Sequence, residues 1–313
     1  MDPFSPEGEL INLHTAFHTG RFAAVASATT SSLSAANALP ARILQLRARI
    51  AISPSSAAAV AKELASESSP VDLVAARTLA EHVASPSKDG PKDKALALSQ
   101  SDGDNLTVQL CCGTILANAG QTAEALALLA KHQGSLDAVA LITQIHLAAN
   151  RLDLAVAELR NARAWAQDSL LVNIAESWAG LRAGGEKYQA AFYVFEELAT
   201  APPVPLGGDG EEETAGTAKA LLGQAIAELH LGRLPEAEAA LGTALERGPD
   251  DADVLATAVT LNTILGKDAE RQAMLGRLAK ANKEHPLLVD AQAKKDLFDS
   301  ATAKWTPKFE VEA

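Results

Sequence analysis

Residues 231–251 read LGRLPEAEAALGTALERGPDD: a turn at Gly232, one alanine-rich helix and a stop at Pro249. Whether this unit recurs decides the fold. Working outward, the alanine five residues beyond each turn Gly or Asn falls at Ala125 after Gly120, at Ala155 after Asn150 and at Ala237 after Gly232. Glu186 with Ala191 fits the same frame. The spacing scatters around ~34 residues, and only the last interval is swollen, by the segment 201–216.

The rest of the chain agrees with an all-α fold. Of its 313 residues, 48% are hydrophobic but only 4% aromatic, and alanine supplies about a fifth. That composition favours helices that pack closely. Leu10, Leu13 and Phe17 share one helix face, as do Leu39, Ile43, Leu46 and Ile50. The breaks are short and rich in Gly, Asn and Ser: HTGR (18–21), NAGQ (118–121), AANR (148–151), AGGEK (183–187) and HLGR (230–233). No period-two strand pattern competes. Between 53 and 105 the turn signals lose register, so the N-terminal repeats cannot be numbered from sequence.

In these residues the chain resembles tetratricopeptide repeats, whose pattern is W-x2-L-G-x2-Y, then A-x3-F, then P. Ala225 takes the small slot of the opening repeat, Ala237 and Leu241 take A-x3-F, and Pro249 closes it. Trp178, Ala179, Ala191 and Phe195 form another such set, and Cys112, Gly113, Leu116, Ala125 and Leu129 a third. Gln224 and Glu228 depart from the pattern where Leu and Tyr are usual. The resemblance implies a right-handed solenoid of stacked antiparallel helix pairs, because one pair cannot bury its own apolar face. We expect a single solenoid over 1–313. Residues 201–216, APPVPLGGDGEEETAG, are expected to be a disordered inserted loop. A C-terminal capping helix is expected over 285–305, burying a stripe of Leu287, Leu288, Ala291, Leu297, Phe298 and Ala301.

Several function classes are disfavoured. With 27 Lys and Arg against 39 Asp and Glu, the net charge is −12, the wrong sign for neutralising phosphates, so nucleic acid is not expected as a partner. No stretch approaches 18 uninterrupted apolar residues and the start MDPFSPEGEL is not a secretory signal, so a cytoplasmic chain without direct membrane insertion is expected. Cys111 and Cys112 are adjacent and read as buried packing in a reducing compartment. His14 and His18 stand at i, i+4, the spacing for a shared metal, but no third ligand is visible, so no metal is expected. GLRAGGEK (180–187) has glutamate before its lysine, tyrosine after it and no preceding strand, so it reads as a helix–helix turn rather than a phosphate loop. No nucleophile elbow is present, and neither catalysis nor a cofactor is expected.

What remains is the concave face, which in tetratricopeptide solenoids is lined by the first helix of each pair. Carried across, that resemblance points to Leu10, Phe17, Leu110, Thr114, Ala140, Gln144, Leu147, Leu222, Ile226 and Leu229, a largely apolar lining suited to a protein partner. Trp305 and Phe309 are candidates for a C-terminal interface. A generic adaptor for a short peptide of another cytosolic protein fits the same features.

The chain ends narrow this further. DPFSPEGELINLHTAFHTGRF (2–22), LPARILQLRARIA (39–51) and HPLLVDAQAKKDLFDSATAKWTPKF (285–309) resemble the epsilon-subunit family of coatomer, the COPI vesicle coat, and the similarity runs essentially end to end. The resemblance implies a non-catalytic coat subunit that binds and stabilises the C-terminal region of the coatomer alpha subunit in Golgi-to-ER and intra-Golgi transport. It implies a cytoplasmic chain that is peripheral on Golgi membranes and COPI-coated vesicles through the assembled coat.

Overall fold

The computed structural model describes residues 6–206 and 216–305, and among them are seventeen α-helices and no strand. The chain divides into two compact units, Met1–Ala220 and Leu221–Ala313. In the first, a 3-10 turn (Pro6–Leu10) leads into the hairpin of α1 (Ile11–His18) and α2 (Phe22–Ser27). There follow α3 (Ala35–Ile52), α4 (Pro54–Glu63), α5 (Val71–Ala84), α6 (Gly90–Ser101), α7 (Leu106–Asn118) and α8 (Thr122–Leu129). The unit ends with α9 (Leu136–Ala148), α10 (Leu152–Arg163), α11 (Leu170–Ala183) and α12 (Lys187–Thr200). The second unit takes in α13 (Ala218–His230), α14 (Leu234–Arg247), α15 (Ala252–Ile264), α16 (Asp268–Ala281) and α17 (Pro286–Lys304).

The turns that define the repeat share one backbone device. At the end of α7, Gly120 adopts φ +77°, its N–H bonds Ala117 O, and Gln121 N–H reaches back to Leu116 O. This double bond satisfies the last carbonyls of the helix and needs a left-handed residue at its centre. The same reach-back recurs from Arg21 to Ala16, Arg151 to His146, Arg233 to Glu228 and Lys267 to Asn262. Four of the five turns have glycine at the left-handed position. The fifth has Asn150, at φ +58°, whose Oδ1 also accepts from Arg182. The turn at Gly266 adds a pair, α15 with α16, that the sequence reading does not single out.

The aligned alanines all lie in the second helix of a pair and are all buried: Ala125, Ala155 and Ala237 are fully excluded from solvent and Ala191 is 2% exposed. GLRAGGEK falls at the α11–α12 turn, as expected. Gln224 and Glu228, the departures from the repeat pattern, hydrogen-bond each other at 3.1 Å on α13. Cys111 and Cys112 are free and buried, and burial pushes their thiols up to about 11 and about 12. Burial that keeps both thiols protonated suits a packing role.

Two expectations change. Residues 201–206 lie along the N-terminal hairpin: Arg21 donates to Ala201 O, Asn12 to Pro205 O and Thr29 N–H to Leu206 O, while Leu206, like Phe17, Phe22 and Leu33, packs against the core of Leu10, Leu13, Val25 and Leu44. Composition alone does not predict this anchoring; residues 207–215 lie outside the described residues. The C-terminal helix spans Pro286–Lys304, with His285 accepting Leu287 N–H, but only its first turn packs, through Leu287 and Leu288 against Leu255, Ala256 and Leu278. Leu297 and Phe298 are 71% and 68% exposed, so the apolar stripe is not buried along its length.

Candidate functional site

Within the first unit, alternate helices turn one face to a common groove. α3 contributes Arg47 and Ile50, α5 Leu79 and Val83, and α7 Leu110 and Thr114, each pair three or four residues apart and so on one side of its helix. Phe17 of α1 together with Ala51, Ile52, Ser53 and Pro54 completes the lining, around a volume of about 360 Å³. The rest of α3 is committed elsewhere: Ile43 and Leu46 join the core of α4 to α9, and Ala41, Leu44 and Ala48 join that of the N-terminal hairpin, while Ile50 lies where core and groove meet. Thr114 donates its hydroxyl to Leu110 O at 2.8 Å, which satisfies that polar group within its own helix.

A polar cluster adjoins the apolar one. Arg47 lies 4.9 Å above the Phe17 ring centroid and 3.6 Å from Asp137 Oδ1. Asp137 stands in the first turn of α9 and also lies 3.6 Å from His18 Nε2. His14 and His18 stack along α1 with ring centroids 5.9 Å apart. Burial lowers both imidazoles, His14 to about 4. Burial alone would raise the Asp137 carboxyl, but His18, Arg47 and His14 outweigh it and hold it below the ordinary carboxylate range.

Three of the residues expected on the concave face, Phe17, Leu110 and Thr114, are thus brought together. Leu10 is not among them: at 4% exposure it is core, packed with Leu13, Val25 and Leu44. Ala140 is buried, Gln144 is exposed on α9, and Leu147 packs with Leu159, Ala175 and Ala179. In the second unit Leu222, Ile226 and Leu229 are half-buried along one face of α13. Trp305 is 78% exposed; Phe309 lies outside the described residues. A second groove, bounded by α10, α11 and α12 and lined by Val156, Arg160, Glu176 and Val194, contains none of the expected residues.

Arg47 and Asp137 are the side chains at this site that the sequence does not single out. Arg47 is not distinguished by pattern, because α3 also carries Arg42 and Arg49. Nor is Asp137, because an acid in the first turn of a helix is ordinary favourable dipole chemistry.

The family described as "Coatomer epsilon subunit" matches residues 7–306. Among curated relatives, "Coatomer subunit epsilon-1" of Arabidopsis thaliana is 29% identical over 299 residues, covering 93% of this chain and 95% of that protein. "Probable coatomer subunit epsilon" of Schizosaccharomyces pombe is 34% identical over 185 residues, 59% of this chain and 60% of the relative. Among solved structures, the Cut9–Hcn1 complex of the APC/C has a TM-score of 0.60 at 16% identity, over 89% of this chain and 53% of that one. A tetratricopeptide repeat protein from Parabacteroides merdae has a TM-score of 0.56 at 9% identity, over 79% and 90%. At these identities the structural likenesses show an all-α, tetratricopeptide-like fold and nothing of function.

Proposed function

This chain belongs to the coatomer epsilon subunit family, and from that membership we propose that it binds the C-terminal region of the coatomer alpha subunit and stabilises it, without catalysis, within the COPI coat. The observation that supports this reading is the groove of Phe17, Leu110 and Thr114, an apolar concavity on an acidic chain. A groove of this kind rewards burial of a partner's apolar side chains in proportion to the area covered. No helix among the described residues is long and apolar enough to cross a membrane. Recruitment to Golgi membranes and COPI vesicles, in Golgi-to-ER and intra-Golgi transport, then runs through the assembled coat.

Co-expression with the C-terminal region of coatomer alpha tests the proposal. A stoichiometric complex that survives gel filtration is expected. Absence of a stable complex, with the chain instead capturing short peptides of other cytosolic proteins, would replace this reading by that of a generic adaptor.

A further inference from the structure

The cluster of His14, His18 and Asp137 has no part in the proposed coat role. One ligand atom from each of these three side chains lies within 4.8 Å of the others. The pair His18 Nε2 and Asp137 Oδ1 is already at 3.6 Å. Ligand atoms about 2.0–2.1 Å from a tetrahedral Zn²⁺ stand roughly 3.4 Å from one another. One edge of the site is therefore near ligand spacing, and the widest closes with about 1.4 Å of side-chain adjustment. The two imidazoles are held together by one helix, α1, and the carboxylate is delivered by another, α9.

One further observation points to a cation. Asp137 Oδ1 is buried without a partner at full hydrogen-bonding distance: His18 Nε2 and Arg47 each stand 3.6 Å away, and Arg47 is also engaged with the Phe17 ring. A buried carboxylate oxygen so placed gains from a cation at closer range. Two imidazoles and one carboxylate suit a divalent transition ion and leave a position open to water, whereas Ca²⁺ and Mg²⁺ favour all-oxygen shells.

We propose that His14, His18 and Asp137 bind one divalent transition-metal ion, Zn²⁺ by the character of the donors, and that this ion ties α1 to α9. Arg47 stands next to the metal position as a competing cation and sets the affinity below that of an unopposed three-ligand site. The ion bridges segments far apart in sequence, so it stabilises the folded chain by closing a long loop.

The test uses the tag-free full chain, stripped with a chelator and titrated with Zn²⁺ by calorimetry and with Co²⁺ by visible absorption. One ion per chain, a tetrahedral Co²⁺ spectrum and a rise in melting temperature with Zn²⁺ but not with Mg²⁺ are expected. Asp137→Asn should weaken Zn²⁺ binding by roughly 100-fold, Arg47→Met should tighten it by about tenfold, and His146→Gln should leave it unchanged. Helicity by circular dichroism accompanies each variant; if Asp137→Asn unfolds, His14→Gln carries the same expectation. Absence of saturable Zn²⁺ binding to the unsubstituted chain, or unaltered 1:1 binding in folded Asp137→Asn or His14→Gln, overturns the proposal.

Discussion

Leu129 closes directly over Gly113: a Cβ placed on that glycine would lie 3.1 Å from Leu129 Cγ and 3.2 and 3.3 Å from its two methyl carbons. α7 and α8 can approach this closely only because the slot is empty of side chain. Gly113→Leu should therefore overpack the hairpin, at a net cost of about 1–3 kcal/mol. Gly113→Ala should cost less, because the ~1 kcal/mol gained in helix propensity offsets a displacement of a few tenths of an ångström. Thermal melts of the two variants check the order; an unchanged melting temperature for Gly113→Leu would mean that the contact has slack.

Ala237 tests the same principle in the second unit. It is fully buried on α14, whereas Ala239, two residues on, is exposed. Ala237→Glu puts four extra heavy atoms, ending in an unpaired carboxylate, into a packed interface, at an expected cost above ~3 kcal/mol. Ala239→Glu should stay within about 0.5 kcal/mol of the unsubstituted chain. Hydrogen exchange across α13 to α16 distinguishes them, with loss of protection expected for Ala237→Glu alone.

These two sites were legible in sequence because each rests on a local signal. A left-handed turn needs glycine or asparagine whatever surrounds it, and a crowded helix contact needs a small residue, so Gly120, Asn150 and Gly232 located Ala125, Ala155 and Ala237 in advance. Between 53 and 105 the signal fades because the turns there use other chemistry. No described glycine from Gly90 to Gly113 has a positive φ, and α4 starts instead from Ser53, whose hydroxyl accepts Ser56 N–H, with Pro54 in the first turn. The apolar stripe of α17 illustrates a different limit: periodicity reveals which face of a helix is apolar, not whether anything covers it. Asp137 illustrates a third, since its meeting with His14 and His18 depends on the packing of α1 beside α9 and leaves no mark on local sequence.

The buried histidines make stability depend on pH. His14 has its folded pKa lowered from 6.5 to about 4 by burial, so between these values the unfolded chain binds the proton more readily than the folded one. Stability from this group is present above pH 6.5 and is lost as pH falls towards 4. Between pH 6.5 and 5 the loss should amount to about 1.5 kcal/mol, in metal-free buffer. His14→Gln removes the titrating group, and its urea midpoint should fall less over the same interval. Parallel pH profiles of the two proteins would contradict this account.

The partner interface can be separated by unit. Thr114 is half-buried and lines the groove, so Thr114→Arg should fill the groove and add a charge beside Arg47 while leaving helicity intact. On α13, Leu222→Asp with Ile226→Asp should weaken the alpha-subunit complex without unfolding the chain, because both side chains are only half-buried. Trp305, at 78% exposure, contributes little to folding, so Trp305→Ser should keep the melting temperature and lose affinity only if the C-terminal helix joins the interface. Each variant is measured by calorimetry against the alpha C-terminal region, with a loss of at least about tenfold, or ~1.4 kcal/mol, taken as contact. Loss with Thr114→Arg alone assigns the interface to the groove of the first unit, and loss with the α13 pair alone assigns it to the second. Full affinity in all three would remove both faces and the C-terminal helix from the interface.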